Sequence, residues 1–98
     1  MILFGNINKG LEEYRSTPGT ILADVREVDE FKTGHIPGAI NAPLSTITNT
    51  ILPKDALLFL YCLRGTRSKR AAEVLRKMGF KSVKNIGGIS GYRGEIER

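Results

Sequence analysis

Apolar residues occur along this chain in short blocks separated by polar and glycine-containing segments. Four blocks are short and continuous, as is typical of buried strands, and cover residues 20–25, 39–42, 56–61 and 82–86. Other segments have helical spacing of their apolar residues and cover 11–14, 28–32 and 68–78. Two shorter helices are expected, one from Ser45 to Asn49 with Ser45 as its cap, and one near Ser90. The pattern therefore predicts strands alternating with helices.

Polar residues at the helix starts predict how the helices are capped. Asn6 or Asn8 is expected to cap the first helix, and Ser68 or Thr66 the helix over 68–78, because short polar side chains accept hydrogen bonds from the free amides of a first turn.

Residues Ile2 to Phe4 are predicted to form a short edge strand.

Apolar strands alternating with helices indicate an α/β fold with a central parallel sheet of four to five strands and helices on both faces. In such a sheet all the strand carboxyl ends lie at one edge, where ligands bind. Asp24, Cys62 and the pair Gly87–Gly88 each fall near the end of a predicted strand. The sequence therefore predicts that these residues gather at one site.

Composition narrows the class of protein. The chain has 98 residues, of which 41% are hydrophobic and 26% charged, and this predicts one globular domain over 1–98. No apolar run approaches the roughly 20 residues that span a bilayer, and the first residues lack the pattern of a signal peptide. Cys62 is the only cysteine, so we expect no intramolecular disulfide and a reducing, cytoplasmic setting. His35 is the only histidine, so no zinc ligand set is expected.

The positive charge of the chain is concentrated in one segment. There are 15 basic and 10 acidic residues in total, but from Cys62 to Lys84 Glu73 is the only acidic residue. The basic residues of that segment are Arg64, Arg67, Lys69, Arg70, Arg76, Lys77, Lys81 and Lys84. Such a surface attracts a small oxyanion, an acidic protein or a nucleic acid backbone, although a solvated helix face explains the later residues equally well.

Cys62 carries the main candidate chemistry. It lies where an apolar strand meets a glycine-containing loop and the start of a helix, and backbone amides at such a place form an anion-binding nest. The same positive potential lowers the pKa of a thiol, and Arg64 and Arg67 add positive charge on either side of Gly65. A lone cysteine after a strand is otherwise a small buried hydrophobic residue. The adjacent glycine and arginines favour the catalytic interpretation.

The motif around this cysteine resembles the active-site loop of the single-domain rhodaneses, Cys-x-x-Gly-x-Arg-Ser. The chain has it as Cys62-Leu63-Arg64-Gly65-Thr66-Arg67-Ser68. Further matching segments are Asp24-Val25-Arg26-Glu27, Glu30-Phe31, Gly34-His35-Ile36-Pro37-Gly38-Ala39-Ile40-Asn41, Pro43-Leu44, Ala71-Ala72, Leu75, Gly79-Phe80 and Gly87-Gly88. The resemblance covers nearly the whole chain from Ile21 to Tyr92.

The resemblance implies a sulfurtransferase with a Cys62 persulfide as covalent intermediate and no separate cofactor. The donor would be thiosulfate or a similar small anion, and the acceptor an external thiol, cyanide or a protein cysteine. The implied substrate-binding residues are Leu63, Arg64, Gly65, Thr66, Arg67 and Ser68. Among them Arg67 would order the loop and set its positive field, and Arg64 would attract the donor. Asp24 and Arg26 would support the loop.

Loop length separates this family from its look-alikes. Four residues lie between Cys62 and Arg67, whereas similar cysteine phosphatases and arsenate reductases use five, so the shorter loop suits a single sulfur atom. The alternatives are a non-catalytic interaction module of the same fold, a sulfur carrier for a protein partner, and a nucleic-acid binder. The last is weakened because the basic residues lack aromatic stacking residues among them. His35 belongs to a turn that the family uses structurally.

Overall fold

The computed structural model describes residues 6–98, so the predicted strand over 2–4 lies outside the described residues. The α-helices are α1 (Ile7–Ser16), α2 (Val28–Thr33) and α3 (Thr66–Lys77), and the strands are β1 (Ile21–Asp24), β2 (Ile40–Asn41), β3 (Leu57–Cys62) and β4 (Ser82–Gly88). Two short 3₁₀ helices cover Leu44–Asn49 and Ile89–Gly91. Strands and helices therefore alternate, as the apolar pattern predicts.

The four strands of the described chain form one sheet in the order β2-β1-β3-β4, and every neighbouring pair is parallel. The predicted α/β fold with a parallel sheet is confirmed. The register between β3 and β4 is irregular near the end of the sheet. Leu60 pairs with Asn85 and Tyr61 pairs with Gly87, so Ile86 is an extra residue on β4. An insertion of this kind bends a strand, here beside the end of β3 that carries Cys62.

Successive side chains of the sheet point to opposite faces and enter two separate apolar clusters. On one face, Leu58, Leu60 and Cys62 of β3 pack with Ala71 and Leu75 of α3. The opposite face is covered by α1, and its fully buried side chains include Leu11, Leu22, Phe59 and Tyr61. Burial of both faces explains why β3 and the first three residues of β1 are continuously apolar. The helices thus cover both faces, as expected.

Asn6 caps α1 through a hydrogen bond that its side chain accepts from the amide of Asn8 (2.9 Å), so this cap is confirmed. The cap predicted at Ser68 or Thr66 is wrong. Helix α3 begins at Thr66, and its cap is Gly65, which has φ +105° and supplies no side chain. A glycine turn therefore replaces a polar cap at this helix start.

The cap predicted at Ser45 is also wrong. The 3₁₀ helix begins one residue earlier, after Pro43, and has no side-chain cap. The hydroxyl of Ser45 instead donates to the carboxylate of Glu27 (2.7 Å), the residue preceding α2. Ser45 thus joins the 3₁₀ helix to the start of α2.

Candidate active site

Cys62 is the last residue of β3, and its side chain is 1% exposed. Three donors surround its sulfur: the amide of Gly65 lies 3.0 Å from Sγ, and the amide and hydroxyl of Ser68 each lie 3.4 Å from it. Strand β3 supplies the sulfur, the loop turns back over it, and the first turn of α3 supplies two of the donors. The arrangement is the amide nest that the sequence predicts.

This environment favours the thiolate. Burial raises the pKa of the Cys62 thiol, but hydrogen bonds from the Ser68 side chain and from the amides of Ser68, Gly65 and Arg64 outweigh it, so the pKa is lowered overall. Donors that point at a sulfur stabilise its charged form more than its neutral form. Cys62 is therefore a core residue whose surroundings favour the thiolate, which is the nucleophilic form of a cysteine.

The loop after Cys62 is also held by the end of β4 and by the 3₁₀ helix that follows it. The amide of Ser90 donates to the carbonyl of Leu63 (3.1 Å). A Cβ built on Gly88 would overlap the carbonyl oxygen of Leu63 and the Cα of Arg64. The expected close passage of Gly87–Gly88 beside the site is therefore present, and it explains why position 88 has no side chain.

Arg67 is joined to α2 by a two-point ion pair. Its Nη1 lies 2.7 Å from Oε1 of Glu30, and its Nη2 lies 2.9 Å from Oε2. The hydrogen bond from Arg67 is the main cause that lowers the pKa of Glu30 to about 2. Arg67 thus ties the loop to α2, and Glu30 compensates its charge. Within residues 6–98, the side chain of Arg64 makes no ion pair and is exposed.

Asp24 and Arg26 form a buried ion pair at the end of β1. The Asp24 carboxylate accepts from Nε and Nη2 of Arg26, the shortest contact being 2.7 Å, and Nη2 also donates to the carbonyl of Gly34 (2.7 Å). Burial lowers the pKa of Arg26, but the hydrogen bond to Asp24 together with the nearby negative charge outweighs burial and raises it overall. The pair fixes the turn after α2, and support of the loop by Asp24 and Arg26 stays a prediction.

The loop is held by Glu30, described above, and by Asn85 of β4. The Asn85 amide donates from Nδ2 to the carbonyl of Gly65 (3.0 Å), and its Oδ1 accepts from the hydroxyl of Ser68 (2.7 Å). Sequence reasoning missed both supports. Each contact joins residues that are far apart in the chain, so neither could be predicted from local sequence. The only hint of Asn85 was its polar side chain in a segment expected to form a buried strand.

His35 lies away from the sulfur in the turn after α2. Its ring stacks on Phe31 with centroids 3.7 Å apart, and its Nδ1 lies 3.0 Å from the Phe31 carbonyl. The donors that contact Cys62 Sγ do not include it. The geometry therefore supports the structural interpretation of His35.

The side chains of residues 6–98 include no cluster of three metal-ligating groups. No helix in this range is long and apolar enough to cross a membrane. What the site does offer is one buried sulfur with a lowered pKa and several donors that converge on it. A thiolate of this kind can attack an electrophilic atom, and the surrounding donors can stabilise the negative charge that forms beside it.

Comparison with known proteins identifies a family and several relatives with similar sequences. The family model of the rhodanese-like domain matches residues 8–95. Over 88 residues the chain is 40% identical to a tRNA sulfurtransferase of Desulfurococcus amylolyticus, a match that covers 89% of this chain and 18% of that protein. Over 70 residues it is 37% identical to the thiosulfate sulfurtransferase PspE of Escherichia coli, covering 67% of each chain. The chain thus spans less than a fifth of the first of these relatives.

The fold matches a solved structure of comparable size. A rhodanese from Escherichia coli determined with anions superposes with a TM-score of 0.69 at 30% sequence identity. The match covers 81% of this chain and 98% of that one.

Proposed function

Because this chain belongs to the rhodanese-like domain family, we propose that it is a sulfurtransferase that moves sulfane sulfur through a Cys62 persulfide. The observation that carries the proposal is the convergence of the Gly65 amide with the amide and hydroxyl of Ser68 on one buried sulfur. The donor is thiosulfate or a similar small anion. The names of two relatives, a tRNA sulfurtransferase and a thiosulfate sulfurtransferase, support this class of reaction.

In the first half-reaction, the Cys62 thiolate attacks the outer sulfur of thiosulfate. A new S–S bond forms to Sγ, the S–S bond within thiosulfate breaks, and sulfite leaves with the electron pair. The exposed guanidinium of Arg64 attracts the dianionic donor. Loop amides from Leu63 to Arg67, including that of Thr66, hold the negative outer sulfur of the persulfide.

In the second half-reaction, an acceptor attacks the outer sulfur and Cys62 leaves as a thiolate. Thiolate is a good leaving group here because the hydrogen bonds that lower its pKa also stabilise it in this step. Cys62 is the only cysteine of the chain, so no internal thiol is present to take the sulfur as a disulfide. The acceptor is therefore external: a thiol, cyanide or a protein cysteine.

The test is intact mass spectrometry after incubation with thiosulfate, before and after addition of cyanide. We expect wild type to gain one sulfur atom that cyanide removes, and Cys62→Ser to gain none. The serine variant keeps nearly the same size and lacks only the nucleophile, so its melting temperature serves as the control for folding. A sulfur gain on the serine variant contradicts the assignment of Cys62.

A second candidate is a sulfur carrier that receives its sulfur from a protein persulfide rather than from thiosulfate. The single cysteine favours it, since sulfur bound at Cys62 must leave with an outside partner. A well-folded protein that gains sulfur from a persulfidated protein but not from thiosulfate would select this candidate. Either role requires a reduced thiol, and we propose a reducing compartment such as the cytoplasm for both.

A further inference from the structure

The hydroxyl of Ser68 has one proton and three acceptors within reach. Its Oγ lies 2.7 Å from Oδ1 of Asn85, 3.2 Å from the carbonyl of Gly65 and 3.4 Å from Sγ of Cys62. Ser68 is fully buried, so no bulk water competes for this proton. The shortest contact is the one to Asn85, and a hydroxyl donates one hydrogen bond at a time.

The orientation of the Asn85 amide follows from its other partners. Its Oδ1 accepts from the backbone amide of Gly87 (3.0 Å), while its Nδ2 donates to the carbonyl of Gly65 (3.0 Å). A flipped amide would set a donor against a donor at Gly87 and an acceptor against an acceptor at Gly65. The atom that faces Ser68 is therefore an acceptor.

From these contacts we propose that Asn85 is a positioning residue that holds the Ser68 proton whenever the Cys62 sulfur is uncharged and releases it when the thiolate forms. In the thiol state, the S–H group donates to Ser68 Oγ and the hydroxyl donates to Asn85. When the thiol proton leaves for solvent, the hydroxyl rotates and donates to the thiolate. No electrons move in this exchange, and the only proton lost is that of the thiol.

The exchange has a consequence for sulfur transfer, and that consequence rests on the proposed function. In the persulfide the charge lies on the outer sulfur, so Sγ needs no hydrogen bond and the Ser68 proton returns to Asn85. As Cys62 leaves the transferred sulfur as a thiolate, the Ser68 hydroxyl rotates again and donates its hydrogen bond to Sγ. By accepting the hydrogen bond from Ser68, Asn85 stabilises the states in which Sγ is uncharged. Without it the buried hydroxyl would lack a strong acceptor in those states, which costs free energy.

The test measures the pH dependence of Cys62 alkylation by iodoacetamide, followed by intact mass. Asn85→Ala removes the competing acceptor, so the thiolate forms at lower pH. We expect alkylation at the acidic end of the profile to be about two- to fourfold faster, after allowing for the lower nucleophilicity of a more acidic thiol. Asn85→Asp keeps an acceptor but adds negative charge, so its profile moves to higher pH and its alkylation at that end is slower.

A second cycle in the Ser68→Ala background separates the exchange from general loosening of the loop. If Asn85 acts through the Ser68 proton, Asn85→Ala no longer accelerates alkylation when the hydroxyl is absent. Loss of the hydrogen bond to Gly65 alone acts in both backgrounds. An equal effect of Asn85→Ala in the two backgrounds, or shifts of the alanine and aspartate variants in the same direction, overturns the proposal.

This experiment needs no sulfur donor or acceptor. The proposed sulfur transfer can therefore fail in the thiosulfate assay while the alkylation profiles still support the proton exchange, and the reverse also holds. If Asn85→Ala unfolds, Asn85→Leu, which is nearly the same size and also lacks an acceptor, takes its place in both backgrounds, and an equal effect in the two backgrounds again overturns the proposal.

Discussion

The two loop arginines beside Cys62 differ in how much positive charge they leave for a substrate. Arg67 forms a bidentate pair with Glu30, so the field of the guanidinium is largely cancelled at a distance. Arg64 is exposed and unpaired within the described chain. We therefore expect Arg64 and the loop amides to supply more of the positive field than Arg67, whose ion pair with Glu30 fits its expected role in ordering the loop.

Gly88 lies directly against the loop backbone at Leu63 and Arg64. We expect Gly88→Ala to displace the loop at Leu63 and Arg64, because the added Cβ has no room beside this backbone. Overpacking of this kind costs about 1–3 kcal/mol of stability. The displaced amides would also slow alkylation of Cys62 at neutral pH, measured by intact mass.

Gly91 provides the matched control for this substitution. A Cβ at Gly91 would meet its nearest neighbour, the Cγ2 atom of Ile7, at 3.8 Å, which is an ordinary van der Waals contact. Gly91→Ala should therefore leave both the melting temperature and the alkylation rate near those of wild type. Equal behaviour of the two variants would contradict the steric argument for Gly88.

At the scale of elements, the sequence predicted what depends on local pattern and missed what depends on packing. Strand β3 was expected over 56–61 and is found over Leu57–Cys62, because its apolar run is buried on both faces. Helix α3 was expected from 68 and begins at Thr66, since its first turn is polar and is started by the left-handed turn at Gly65. The supports at Glu30 and Asn85 required the fold, because each joins separate elements.

The clamp between α2 and the loop gives a prediction of pH-dependent stability. Glu30 has its pKa lowered from the ordinary value of 4.5 to about 2, so the ion pair with Arg67 stabilises the fold above about pH 4.5 and this contribution is lost as pH falls toward 2. Glu30→Gln removes the charge and keeps the shape. Its melting temperature should be about 2–6 °C below that of wild type at neutral pH, and the gap should close between pH 4.5 and 2.

Glu73 supplies the control for the clamp. It is an exposed acid of α3 that makes no salt bridge within residues 6–98. Thermal unfolding of Glu73→Gln over the same pH range should follow wild type closely. A constant gap between Glu30→Gln and wild type down to pH 2 would show that the glutamate acts through packing rather than charge.

For the whole molecule, the sheet places the reactive end of β3 and the start of the basic helix α3 at the same edge. The chain has a net charge of +5, and the basic residues that follow Cys62 lie in the loop before this helix, on the helix or after it. Apart from Glu73 they are interrupted by no acidic residue up to Lys84. We therefore expect the site to lie in a positive field that attracts anions toward the sulfur.

If the site lies in a positive field, an anionic reagent reacts with Cys62 faster, relative to a neutral reagent of similar size, than it does with a thiol outside such a field. Iodoacetate and iodoacetamide alkylate the same atom and differ mainly in charge, so the ratio of their rates reports the local potential without any sulfur transfer. We expect this ratio to fall as salt is raised, because ions screen the field over about 10 Å at 0.1 M ionic strength. Arg64→Ala should lower the ratio at low salt, while Lys81→Ala, beyond the end of α3, should change it less. If both reagents respond equally to salt in wild type, the positive surface does not act at the thiolate, and the basic residues of α3 belong to a solvated helix face.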